Sequence, residues 1–485
     1  MAERERAAHR QTDHGGREDP QGHDSAPGHG ATLCPALRRP PLSDGLSTDE
    51  SGSTGNHQRH RFDSRSGRWC CHVQYPLTMT TAHSLDLLDP GAFDGGQPHE
   101  AFAWLRDNDP IHWHEEPNGP GFWVVTRYED VKVVGRDATT FSSAQGIMIP
   151  GVAGALGEGQ GAPRMMLSMD APDHKHYRRL AVPDFIPKAV KEMAPRVGVL
   201  AAQIIDGVIE DGECDLVTDI AGLMPSYVIA EMLGLPLADG VALYDLTETI
   251  HSTPDPEHPE AGMMAVLQML QYAHGVWEQR RAEPRDDLST KLAHATVDGE
   301  PLSEVDFGMY FLLLIDAGGD TTRNLVATGM LALLEHPDQL DVVRRDLDGR
   351  LNTAIEELLR WVSPVVYMRR TATRPTVLGE AEIATGDKVV MYYGSANRDP
   401  RAFADPDVLD VERWPNEHVA FGGGGPHFCL GAHLGRCEIQ AMLGQILTRL
   451  EGLRIAQPPE WLRSNFISGV RHLPVEFKPG ARVAG

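Results

Sequence analysis

The chain has 485 residues, 41% of them hydrophobic and 23% charged, with a formal net charge of −25. That length allows one large domain, or two to three ordinary ones, around a substantial core. So acidic a chain argues against nucleic acid and anionic membrane surfaces as partners, and its longest apolar run, residues 309–315, falls far short of the roughly 20 residues a transmembrane helix needs.

Residues 1–78 stand apart. They are rich in Gly, Ser, His, Arg and Asp, contain no lysine and show almost no apolar periodicity. Such a composition cannot bury enough surface to offset chain entropy. The segment is expected to be a disordered tail or a mis-assigned start, with Met79 opening the native chain and residues 79–485 forming one catalytic domain. The adjacent pair Cys70-Cys71 is poorly spaced to share a metal. No apolar segment follows the opening charges, so no signal peptide is expected. The six cysteines (34, 70, 71, 214, 429 and 437) are scattered, which fits a reducing, cytoplasmic setting better than a disulfide framework.

Residues 99–108 read as a short helix. Residues 111–114 and 122–128 are rich in β-branched and aromatic residues around Asn118-Gly119-Pro120-Gly121, which predicts a hairpin. The Gly- and Pro-rich stretch 145–163 reads as a long loop, either a lid or slack chain. Helical periodicity dominates from 172 to about 361, broken at Pro236, at 254–259, near Pro284 and near Gly299. Short strands return over 365–394, with turns at Leu378-Gly379 and Thr385-Gly386, and a last helix is expected over about 430–450. The pattern is mainly α with small β-sheets. No repeat and no nucleotide-binding glycine fingerprint is found, so no fused reductase domain is expected.

Residues 421–431 read Phe-Gly-Gly-Gly-Gly-Pro-His-Phe-Cys-Leu-Gly, and Arg436 lies in the helix that follows. Glycines permit close backbone approach, and a cysteine at a helix start meets N–H donors that favour its thiolate. Such a loop suits a thiolate on the iron of a flat macrocycle, with Phe421 and Phe428 shielding the sulfur and His427 reaching an acidic edge group. The bland alternative is a glycine linker beside a buried cysteine. Residues 303–335 are long enough for one helix of roughly 50 Å, yet the middle reads Ala317-Gly318-Gly319-Asp320-Thr321-Thr322. Glycines inside a helix cost of order 1 kcal/mol each, so a kink or groove is expected there. It would hold dioxygen, with Thr321 bonding it, Thr322 as the fallback and Asp320 relaying protons. Alternatively, Asp320-Thr321 caps a second helix. Glu357 and Arg360 share one helix face, and the apolar residues after Trp361 argue that the pair is buried, with Arg413 completing a network. His174 and Arg178, four apart, form a cationic face suited to paired carboxylates, or else a plain basic surface.

The order and spacing of these features resemble the cytochrome P450 family over about residues 85–480. The resemblance implies a triangular helical prism with haem b between the central helix and the cysteine helix. Cys429 would be the axial iron ligand, in a loop running from Phe421 to Gly431. His174, Arg178, Arg369 and His427 would meet the propionates, and Asp320 with Thr321 would serve oxygen activation. Ile147, Met148, Ile149, Met165, Met166, Leu313, Leu314, Ala317, Gly318, Val365, Val366, Phe466 and Ile467 would line an apolar substrate pocket. One departure stands out: Phe421 lies eight residues before the cysteine rather than seven, with an extra glycine. That variant, with segments 363–371 and 395–399, resembles an actinobacterial subgroup acting on methyl-branched lipids and sterol side chains. The expected activity is insertion of one oxygen atom into a C–H bond of a branched lipid, isoprenoid or sterol side chain. Electrons would pass from NAD(P)H through a separate ferredoxin or flavodoxin, docked on a patch containing Lys175, Arg179 and Arg436. A peroxide-driven peroxygenase and a non-enzymatic haem sensor are the alternatives.

Overall fold

The computed structural model describes residues 85–483, apart from 118, 150–164, 252–257 and 259, and also residues 62–63 and 68–69. The last four form a two-residue antiparallel pair, Phe62–Asp63 with Arg68–Trp69. The other expectations for residues 1–78 and for Cys70-Cys71, and the lid expected beyond residue 149, lie outside the described residues.

One helix organises the rest. It runs Glu304–Glu335 without a break, and Ser303 caps it by accepting from the Asp306 N–H. This disposes of the two-helix alternative. Residues 307–315 are buried all round, so the helix is central rather than amphipathic. It packs against α1 (Leu223–Leu233), α2 (Leu237–His251), α3 (Ala261–Ala282), α4 (Leu347–Val362) and α5 (Ala432–Arg449). The last of these starts two residues later than expected.

The main sheet has five strands, ordered 111–114, 122–125, 388–392, 367–372, 141–142. Its middle strand, Lys388–Tyr392, is buried on both faces, pairing in parallel with Phe122–Val125 and antiparallel with Tyr367–Ala372. The expected hairpin forms, but its second strand ends at Val125. Tyr128 instead opens the helix Tyr128–Arg136, with Glu129 and Asp130 in the first turn and the Tyr128 N–H donating to Asp399. Acidic residues there suit the positive end of the helix dipole.

The expected helical continuity after residue 172 also fails at residues 209–222. A strand, Glu213–Asp215, pairs with Pro474–Glu476, and a π-helical turn follows over Leu216–Ala221. The stretch Leu216–Leu233 is long and apolar enough to cross a membrane, although polar residues such as Thr218 and Asp219 interrupt its apolar run. However, 72% of it is buried within the fold, as expected of a core helix.

Candidate active site

The central helix and the cysteine loop face one another across a cavity of about 1010 Å³. Cys429 lines it, open to the cavity yet enclosed by protein. Burial pushes the thiol up, while the Gly431 N–H, Arg178 and Arg436 act the other way. The Cys429 N–H donates to the Phe421 carbonyl at 3.0 Å, so the two ends of the loop meet. Gly422, Gly424 and Gly425 turn the chain between them at φ 98°, 97° and 79°, where glycine alone is unstrained. A Cβ on Gly425 would lie 2.3 Å from the Gly135 carbonyl, and one on Gly423 2.8 Å from that of Val131. The loop is therefore seated, backbone on backbone, against the helix Tyr128–Arg136.

Arg178, Arg369 and His427 line the cavity, joined by Arg370, which the sequence reading had not singled out. Arg369 reaches the Met148 and Gln145 carbonyls at 2.9 and 2.6 Å, and Arg178 the Phe428 carbonyl at 2.7 Å. His174 is not on the wall. It is buried behind His427, ring centroids 4.1 Å apart. Burial, then Arg370, His174 and Arg178, hold His427 down to about 3. Asp170 opposes the basic group through His174 and Arg370.

On the opposite wall the two glycines differ. A Cβ on Gly318 would meet nothing within 4 Å, whereas one on Gly319 would lie 2.7 Å from the Tyr244 ring. The helix thus leaves open space at Gly318 and a filled notch at Gly319. Asp320, Thr321 and Thr322 line the cavity. Thr321 bonds back to the Ala317 carbonyl at 3.2 Å. Asp320 accepts from the Tyr244 hydroxyl at 2.8 Å and lies 3.5 Å from Arg323. Thr322 hydrogen-bonds Glu438, a buried carboxyl on α5 that burial pushes up to about 8. Tyr244, Arg323 and Glu438 were missed. Glu438, a lone acid on the apolar face of a helix, was the one with a sequence signal.

Ile147, Met148, Met165, Met166, Leu313, Leu314, Ala317, Gly318, Val365, Phe466 and Ile467 line the same cavity. Val366 and Ile149 do not. Both are fully buried one layer behind the wall, in the core cluster that joins Leu87 and Phe102 to the cavity-lining Met148, Phe466 and Ile467. Val365 bridges to Ile467, and in extended chain its neighbour points to the other side.

Beneath the site, Glu357 and Arg360 are both fully buried and share two hydrogen bonds of 2.7 Å. Arg413 adds a third at 3.1 Å. Arg436 does not belong to an exposed patch. It is bound to Glu356 at 2.6 and 2.7 Å and lies over the Phe421 ring. Burial raises Glu356, but the hydrogen bonds from Arg436 and His418 outweigh it and hold the carboxyl down to about 2.

The cytochrome P450 family model matches residues 260–462. The chain is 36% identical over 427 residues to a steroid C26-monooxygenase of Rhodococcus jostii, covering 84% of this chain and 89% of that one. It is 38% identical over 418 residues to a methyl-branched lipid omega-hydroxylase of Mycobacterium tuberculosis, covering 83% and 96%. Among solved structures, a Mycobacterium marinum cytochrome P450 in complex with pseudoionone superposes with a TM-score of 0.73 at 35% identity, covering 78% of this chain and 94% of that one. With this fold, and with relatives that are monooxygenases and hydroxylases, the chain belongs to the cytochrome P450 family and is a monooxygenase.

Proposed function

We propose that the enzyme hydroxylates a branched lipid, isoprenoid or sterol side chain, with haem b held by Cys429. The observation that carries this reading is one cavity that has a sulfur donor and a basic cluster on one side and an apolar wall with a glycine groove on the other. The donor set fits haem. A thiolate is a suitable axial ligand, and Arg178, Arg369 and His427, backed by His174, suit two propionates. Bound there, the haem supplies oxygen insertion, the electron push coming from sulfur.

The chain's own residues do the rest. The Gly431 N–H and the loop backbone tune the sulfur, and Phe421 and Phe428 shield it. Gly318 leaves room opposite the sulfur. Thr321 and Asp320 hold and pass protons into that space, which a peroxide-driven reaction would not need. Ile147, Met148, Met166, Leu313, Leu314, Val365, Phe466 and Ile467 bind apolar substrate, and methionines let the wall adapt. The names of the relatives support the substrate class: steroid C26, methyl-branched lipid, pseudoionone.

Titrating the haem protein with a methyl-branched fatty acid, a sterol and a monoterpene should produce a spectral shift with at least one of them. A response confined to a small polar aromatic that is also oxidised would remove the lipid assignment.

Electrons are proposed to come from NAD(P)H through a ferredoxin or flavodoxin, in a reducing cytoplasm. Lys175 and Arg179 are exposed on the helix Asp173–Phe185, which also carries Arg178 to the cavity, and they are the docking cations. Arg436 is dropped because Glu356 neutralises it. The electron-transfer rate should fall as salt rises. It should fall further in Lys175→Glu and Arg179→Glu at low salt. A rate flat across ionic strength would reject docking through these cations.

A further inference from the structure

Asp320 is held from outside its own helix. Tyr244, on α2, reaches across to it, and both the phenol and the Arg323 guanidinium fall on Oδ1. The same α2 supplies Glu248, which pairs with Arg323, and Arg323 lies 5.2 Å from the Tyr244 ring centroid. The Tyr244 ring fills the notch that Gly319 leaves. A side chain larger than hydrogen at 319 would push the ring, and with it the hydroxyl, off Asp320. Tyr244, Asp320 and Arg323 are all buried, so these contacts are shielded from water and strong. The arrangement joins α2 to the central helix at the turn that borders the cavity.

We propose that Tyr244 is a positioning residue for proton delivery: its hydroxyl fixes Asp320 from α2, so that the carboxylate is presented to the cavity only while that helix is seated on Gly319. Tyr244 itself does not give up its proton, because burial, and then Asp320, keep the phenol well above its ordinary range. It acts as a neutral donor that orients the acid. The proposal rests on the reading of Asp320 as the proton carrier.

The test compares Tyr244→Phe and Asp320→Asn in the haem-loaded enzyme. Dioxygen consumption is followed in H2O and D2O with a surrogate ferredoxin chain and a methyl-branched fatty acid. Tyr244→Phe keeps the ring in its notch and removes one hydroxyl. It should leave haem content and melting temperature near wild type, slow consumption by about fivefold, the scale of one lost hydrogen bond, and raise the solvent isotope effect. Asp320→Asn should be slower still, with a raised isotope effect. Tyr244→His, which keeps an aromatic donor, should recover part of the rate. If Asp320→Asn is slow but Tyr244→Phe matches wild type in both rate and isotope effect, the Tyr244 proposal alone falls. If Asp320→Asn itself matches wild type, the reading of Asp320 falls and takes the proposal with it.

Discussion

Cys429→Ser should abolish both turnover and the thiolate signature of the carbon-monoxide complex. No other cysteine among the described residues can replace it. Cys214 sits on the strand Glu213–Asp215, and burial, then Asp219 and Asp215, push its thiol up to about 12. Cys437 is half-buried on α5, with its thiol also raised by burial. Neither lines the cavity. Each should tolerate a small apolar replacement with activity retained, which separates loss of a ligand from loss of packing. The expected effect of Cys429→Ser is complete, because the push from sulfur is the component that no neighbouring residue supplies. Carbon-monoxide difference spectra and product analysis of the purified variant decide it, and normal activity in Cys429→Ala would overturn the assignment.

The second large effect is on stability. Glu357 accepts from Arg360 twice, and also from Arg413, Asn416 and the Asp410 N–H. Arg360 meanwhile donates to the carbonyls of Asn397, Pro406 and Val408. Every partner holds the irregular chain before the cysteine loop against α4. Glu357→Ala would leave the Arg360 charge fully buried without its counter-ion, and removing one member of a buried pair costs about 3–5 kcal/mol. Against a total stability of about 5–15 kcal/mol, that is a large fraction, and it should lower the yield of folded, haem-loaded protein. Thermal and denaturant unfolding of Glu357→Ala, with Glu357→Gln as the milder variant, measures it. A loss of about 1 kcal/mol or less would place the pair with ordinary surface ion pairs.

The parts of this molecule that were legible in its sequence share a physical character. The helix His99–Asn108, the central helix and the hairpin across 111–125 are written in local terms: period and turn residues. The parts that were not legible depend on partners far along the chain. The strand Glu213–Asp215 exists because Pro474–Glu476 lies beside it. Arg436, exposed on a helical wheel, is drawn down by Glu356, eighty residues earlier. The resemblance places the segment Val365-Val366 at the pocket as a unit, whereas the alternation of extended chain sends only Val365 to the wall. Tyr244 offers no local sign of its role, since only the docking of α2 on the central helix brings it to Asp320. In the site, the ends of the cysteine loop and the Asp320-Thr321-Thr322 turn were readable because their spacing is covalent. The residues that orient them were not.

The cysteine loop also bears on how such enzymes are recognised at all. Phe421 and Cys429 are joined by a hydrogen bond although the stretch between them is one residue longer than usual, and three glycines at positive φ curl the chain between them. What defines this loop is therefore a closure condition, two end points and a seat on the neighbouring helix, rather than a count of residues. A search pattern that demands fixed spacing would pass over a loop that closes in this way.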